Sequence, residues 1–120
     1  LESFDSADGV GITEIQRIAE QVAKMLSESL TAFARLDIDL ARDIFERERK
    51  VDKVYQSALR SLATFMIEDP RNIGSVLNIV WIARSLERVG DHATNIAEYV
   101  IYLVQGVDVR HPNVNENSFT

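Results

Sequence analysis

The sequence predicts an all-α fold, an antiparallel three-helix bundle running up, down and up. Three observations carry that prediction. Between Thr13 and Gln105 the only glycines and prolines are Pro70, Gly74 and Gly90, too few turn formers for a many-stranded fold. Along the same stretch apolar residues recur mostly three and four apart, the spacing of one helix face. The chain has 120 residues, enough for one domain with a core of its own. Residues 1–12 read as an irregular lead, 13–106 as the bundle and 107–120 as an irregular tail.

The first helix is predicted from Thr13 to about Leu36. Thr13 followed by Gln16 fits a capping box, in which each side chain bonds the other's free backbone donor. Ile15, Ile18, Val22, Met25, Leu26, Leu30, Phe33 and Leu36 then form one apolar stripe. Asp37 is placed to cap the second helix, which reaches about Glu68 with a stripe of Leu40, Ile44, Val51, Val54, Tyr55, Ala58, Leu62 and Phe65. Asp69 and Pro70 then break the pattern, since proline suits the first turn of a new helix and aspartate suits its cap. The third helix is predicted from about Arg71 to Gln105, with Gly106 as its C-cap. Its first half is apolar almost all round (Ile73, Val76, Leu77, Ile79, Val80, Trp81, Ile82). Such a helix is ordinarily covered on more than one side, so a further partner surface is expected there. Its second half is amphipathic, with Leu86, Ala93, Ala97, Val100 and Val104 on one face.

Composition narrows the function. The 13 lysines and arginines against 19 acidic residues leave a net charge of −6, which argues against nucleic-acid partners, because these need clustered positive charge. There is no cysteine, so iron–sulfur clusters and thiolate zinc sites are excluded and oxygen and imidazole remain as ligands. This fits the reducing cytoplasm, where the protein is expected. The longest apolar run, Ile79 to Ala83, is far short of the roughly 20 residues of a membrane span, so no direct membrane insertion is expected. A polar, acidic start predicts no signal peptide, and Leu1 suggests a piece cut from a longer chain.

Two acidic pairs stand out, Glu48 with Asp52 and Glu87 with Asp91, each spaced by four. That spacing puts both carboxylates on one helix face, one turn apart, where like charges weaken a helix by a few tenths of a kcal/mol. Glu48 and Asp91 share the midpoint 69.5 with Asp52 and Glu87, and it falls between Asp69 and Pro70. In an antiparallel hairpin turning there, the four lie level, roughly 27 Å from the turn. On a helical wheel they fall at the edges of the apolar stripes, along an outer seam. Four such carboxylates suit a hard or borderline cation: Mg²⁺, Mn²⁺, Fe or Ca²⁺. Alternating signs in Arg84-Glu87-Arg88-Asp91 and Arg47-Glu48-Arg49-Lys50-Asp52-Lys53 equally suit a solvated face laced with weak ion pairs, and spacing alone leaves both readings open. His92 and His111 lack the Glu-x-x-His pattern of ferritin-type di-iron sites. No phosphate-binding glycine loop or nucleophile elbow is present.

The stretch Ala83-Arg84-Ser85-Leu86-Glu87-Arg88-Val89-Gly90-Asp91-His92-Ala93-Thr94-Asn95-Ile96-Ala97-Glu98 resembles the signature of the PhoU family of phosphate-uptake regulators. Arg47-Glu48-Arg49-Lys50-Val51-Asp52-Lys53-Val54-Tyr55 resembles the family's partner acidic motif, and the turn from Met66 to Arg71 and the segment Val107 to His111 fit as well. The resemblance implies one three-helix PhoU-type repeat, the second of two in tandem. It also implies metal ligands at Glu48, Asp52, Glu87 and Asp91, with Asn95 a weaker candidate, for ions such as Fe, Mn, Mg, Zn or Ni. By the same resemblance the protein is a non-enzymatic negative regulator of the phosphate-starvation response. It would couple the ATPase of a phosphate ABC transporter to a sensor histidine kinase, and act as a homodimer. The competing expectations are a metal-dependent hydrolase, disfavoured because a convex seam lacks a pocket, and a helical interaction module without metal.

Overall fold

The computed structural model describes residues 11–110, the last four as backbone only. Three helices form an elongated bundle of 65 × 25 × 18 Å: α1 (Thr13–Arg35), α2 (Ile38–Glu68) and α3 (Ile73–Arg110), with a 3-10 turn at Pro70–Asn72 between the last two. Each helix packs against both others. The all-α, up-down-up architecture is the predicted one.

The turns follow from local chemistry. Leu36 sits in the left-handed region at φ 52° and ψ 46°, and the Asp37 amide donates back to the Ala32 carbonyl at 2.9 Å, so α1 ends within one residue. The Asp37 side chain accepts from the Leu40 amide at 3.0 Å and caps α2. At the second turn Asp69 accepts from the Arg71 amide at 3.1 Å, and Pro70 occupies the first position of the 3-10 turn.

Three local expectations need correcting. Thr13 does not cap α1, because the backbone is already helical at Ile12 (φ −63°, ψ −43°) and no side-chain cap bond forms. Just before it, Gly11 approaches so closely that a Cβ would stand 2.9 Å from Leu62 Cδ2. Nor does α3 stop at Gly106; it runs to Arg110, since one glycine weakens a helix by about 1 kcal/mol without ending it. The irregular lead and tail otherwise lie outside the described residues, and His111 with them.

The third correction concerns the buried face of α1. Ile15, Ile18, Val22 and Met25 are buried as the stripe requires, but the sequel is Ser29 and Ala32, while Leu30, Phe33 and Leu36 are exposed. The reason is the company they meet. Met25 and Ala32 pack with Ala41, Ile44, Ala93, Ala97 and Val100, a layer dominated by small side chains that draws the helices close and leaves no room for Leu30 or Phe33. A second cluster, nearer the α2–α3 turn, uses larger residues: Ile15, Ile18, Val22, Tyr55, Leu62, Val76, Ile79 and Ala83. Between the two clusters lies the level of Glu48 and Asp91.

A carboxylate-lined depression between α2 and α3

The hairpin register decides what meets what. Because α2 ends at Glu68 and the turn occupies Asp69 to Asn72, Glu48 of α2 comes level with Asp91 of α3, and Asp52 with Glu87. The contacts agree. Gly90 brings the α3 backbone so near α2 that a Cβ there would be 3.9 Å from Glu48 Oε1. All four carboxylates line one open depression of about 630 Å³. Its floor is apolar, built from Ile18, Val22 and Met25 of α1 with Val51 and Tyr55 of α2, and Arg49, Lys50 and Lys53 stand among the lining residues. The expectation of a merely convex seam is thus corrected: where the two core clusters part, the surface dips. Asn95, one turn past Asp91, is exposed and stands outside the lining.

The electrostatics follow from this crowding. Partial burial pushes the Glu48 carboxyl above its ordinary value, and the charges of Asp91, Asp52 and Glu87 push it further. Among the described residues, none of the four carboxylates belongs to an ion pair. Two neighbouring arginines are engaged elsewhere: Arg47 grips Glu28 of α1, its Nε 2.9 Å from Oε1 and its Nη2 3.3 Å from Oε2, and Arg49 pairs with Glu46 at 3.3 Å; Lys50 and Lys53 line the depression without an ion pair among the described residues. The face is therefore not laced with ion pairs at this point. Four carboxyl groups share a concavity without a fixed counter-charge.

Oxygen donors of this kind match the chemistry of a hard or borderline cation. As the side chains stand, no three acidic or histidine groups among the described residues are close enough to share one ion. The carboxylates border the depression without converging, so ion binding requires side-chain rotation.

Tyr55 is the residue that sequence reasoning placed only in the core. It is 5% exposed and lines the depression beside the carboxylates. Burial pushes its phenol above the ordinary value, as do the Glu87 charge, the hydroxyl's donation toward Glu87 and, more weakly, Asp52, while Arg84 acts in the opposite sense. A signal was available: Tyr55 lies one turn from Asp52 and, by the same midpoint rule, level with Arg84, one turn from Glu87.

Known proteins resemble this chain in sequence and in fold. The sequence model of one family, described as the PhoU domain, matches residues 15–100. A relative from Pseudomonas aeruginosa, "Phosphate-specific transport system accessory protein PhoU homolog", is 58% identical over 101 residues, covering 84% of this chain and 42% of that protein. The Escherichia coli "Phosphate-specific transport system accessory protein PhoU" is 40% identical over 116 residues, 97% of this chain and 48% of the relative. The crystal structure of PhoU from Pseudomonas aeruginosa superposes with a TM-score of 0.77 at 57% identity, over 80% of this chain and 46% of that one. The chain spans less than half the length of these relatives.

Proposed function

The chain belongs to the PhoU family, and from that premise we propose that it works as an accessory regulator of phosphate transport whose carboxylate depression binds a cation. The relatives' own description as accessory proteins of a phosphate-specific transport system supports a regulatory rather than a catalytic role. The observation that carries the cation reading is the gathering of Glu48, Asp52, Glu87 and Asp91 round one depression with no ion pair among them. These four residues would hold the ion, and Asn95, lying outside, would not take part without movement. Candidate ions are Fe, Mn, Mg, Zn and Ni. Bound there, a cation supplies charge neutralisation across the α2–α3 seam, since four uncompensated carboxylates oppose one another's ionisation.

In this reading the outer helical faces dock on the ATPase of a phosphate ABC transporter and on a sensor histidine kinase in the cytoplasm, holding the kinase inactive when phosphate is ample. No described helix is long and apolar enough to cross a membrane, which fits docking from outside the bilayer. Two experiments test the proposal. Isothermal titration with Mn²⁺, Mg²⁺ and Fe²⁺, beside elemental analysis of the purified protein, is expected to show binding that a Glu87→Gln, Asp91→Asn variant loses. Silence in the parent protein overturns the cation site and leaves a metal-free interaction module. Co-purification with the kinase's cytoplasmic region and the transporter ATPase tests the adaptor role. The apolar floor is the one observation favouring a hydrolase, and turnover of a generic phosphate ester with added metal, lost in the same variant, would establish it.

A further inference from the structure

α2 carries a row of cations along its outer face. Arg42, Arg49, Lys53 and Arg60 are all exposed. At 3.6 residues per turn they fall within about 20° of one line, opposite the buried Ala41, Ile44, Ala58 and Leu62. They follow at steps of seven, four and seven residues, so the row runs about 27 Å. Arg49 pairs with Glu46 at 3.3 Å, whereas Arg42, Lys53 and Arg60 enter no ion pair among the described residues. In a chain whose net charge is −6, a basic line of this length is a local reversal of sign.

The chemistry of the row restricts what covers it. A further apolar helix face does not, because cations buried without partners lose their hydration uncompensated. A bilayer surface is also a poor match. An interfacial helix sinks an apolar face into the lipid, and here Glu46, Gln56 and Ser57 stand exposed between and beside the cations. An anionic leaflet attracts basic segments, yet so broad a surface also repels the rest of an acidic molecule. A narrow acidic rod meets the row alone.

We propose that this row docks an acidic helix of a partner protein, one whose carboxylates recur at the same seven- and four-residue steps. Two helices laid side by side keep such rows in register, since both advance about 1.5 Å per residue. The order of steps reads the same from either end, so the cations fix the register and leave the partner's direction open. Exposed ion pairs of this kind add little affinity each. They speed encounter and reject partners of the wrong sign. The inference gives the adaptor reading a face and a chemistry, and it rests on that reading only for the biological partner. It is independent of the cation site: Arg49 and Lys53 also line the depression, whereas Arg42 and Arg60 do not, so the variants are made at the latter two.

Fluorescence anisotropy tests it with a labelled, alanine-rich helical peptide whose glutamates follow at steps of seven, four and seven. A second peptide of the same composition has its glutamates spread round the helix. At low ionic strength the parent chain should bind the first about tenfold more tightly than the second. That preference should vanish at about 1 M salt, where charges are screened within about 3 Å. Arg42→Gln with Arg60→Gln should weaken the first peptide about tenfold, mainly through slower association, with helical circular dichroism unchanged because both side chains are exposed. Equal affinity for the two peptides overturns the proposal, as does unchanged affinity in the double variant or no binding of the ordered peptide at millimolar concentration. Vesicles of phosphatidylglycerol that bind the chain more tightly than the peptide does, with the same loss in the variant, make the row a membrane surface and overturn the helical partner. Capture of the kinase region or the transporter ATPase equally by parent and variant overturns the row and leaves the adaptor reading standing. Capture of neither, with peptide binding intact, overturns the adaptor reading and supports the row.

Discussion

Glu48 shows how one side chain ties the fold to solution conditions. Its partial burial first, and then the charges of Asp91, Asp52 and Glu87, hold its carboxyl above the ordinary value of 4.5. The folded chain therefore grips this proton more tightly than the unfolded chain does. The stabilisation is complete below the unfolded value and is lost as pH rises through the folded one. Glu48→Gln removes that dependence, so its melting temperature should exceed the parent's at about pH 7 and match it near pH 4. An equal gain at both pH values would mean that burial of the charge is not the cause. Gly90 offers a second test. It sits inside α3 without a positive φ, and a Cβ there would find only ordinary contacts, 3.8 Å to Val22 Cγ2 and 3.9 Å to Glu48 Oε1. Gly90→Ala should stabilise the bundle by about 0.5–1 kcal/mol in urea denaturation, while narrowing the depression at its closest backbone approach.

The helices differ in how much of them could be read in advance. α2 was legible from end to end, because Asp37 and Asp69 are caps whose side chains act on their own neighbours. The start of α3 was legible only to within a turn: it was expected at about Arg71, but Asp69 caps a 3-10 turn at Pro70–Asn72 and the α-helix begins at Ile73. The inner face of α1 was not: Leu30 and Phe33 look more apolar than Ser29 and Ala32, yet the smaller pair is inside. Spacing reports which residues share a face, but which face turns inward depends on the room left by the other two helices. The small layer of Ala32, Ala41, Ala93 and Ala97 sets that room. Ala97→Leu should overfill it and cost about 1–3 kcal/mol, measurable by chemical denaturation with little change in helix content. Leu36 is the other local strain, an L-residue at φ 52° where glycine is the usual occupant. It is half exposed, so Leu36→Gly should raise stability by about 0.5–1 kcal/mol, and a loss would show that its exposed side chain has a packing role.

At the scale of the whole molecule, the depression lies where the two core clusters separate, and its carboxylates come from two helices. A cation held by both would tie α2 to α3 at the level between the two core clusters. If it binds only the folded form, free ion at one hundred times Kd should add about 2.7 kcal/mol of stability. That appears as a rise in melting temperature with Mn²⁺, and the rise should vanish in the Glu87→Gln, Asp91→Asn variant. The carboxylate level itself was visible beforehand, since two pairs sharing a midpoint at Asp69–Pro70 must come abreast if the chain folds back there. The concavity was not visible, nor was the inward turn of Tyr55 toward Glu87. Helix periodicity and the caps at Asp37 and Asp69 depend on residues within a turn or two of each other along the chain, so the amino-acid order is enough to read them, and the hairpin midpoint follows once the turn is placed at Asp69–Pro70. The dip, its apolar floor and the exposure of Ile73, Leu77 and Trp81 depend on how closely three rods approach, which is settled by side-chain volumes meeting from distant parts of the chain.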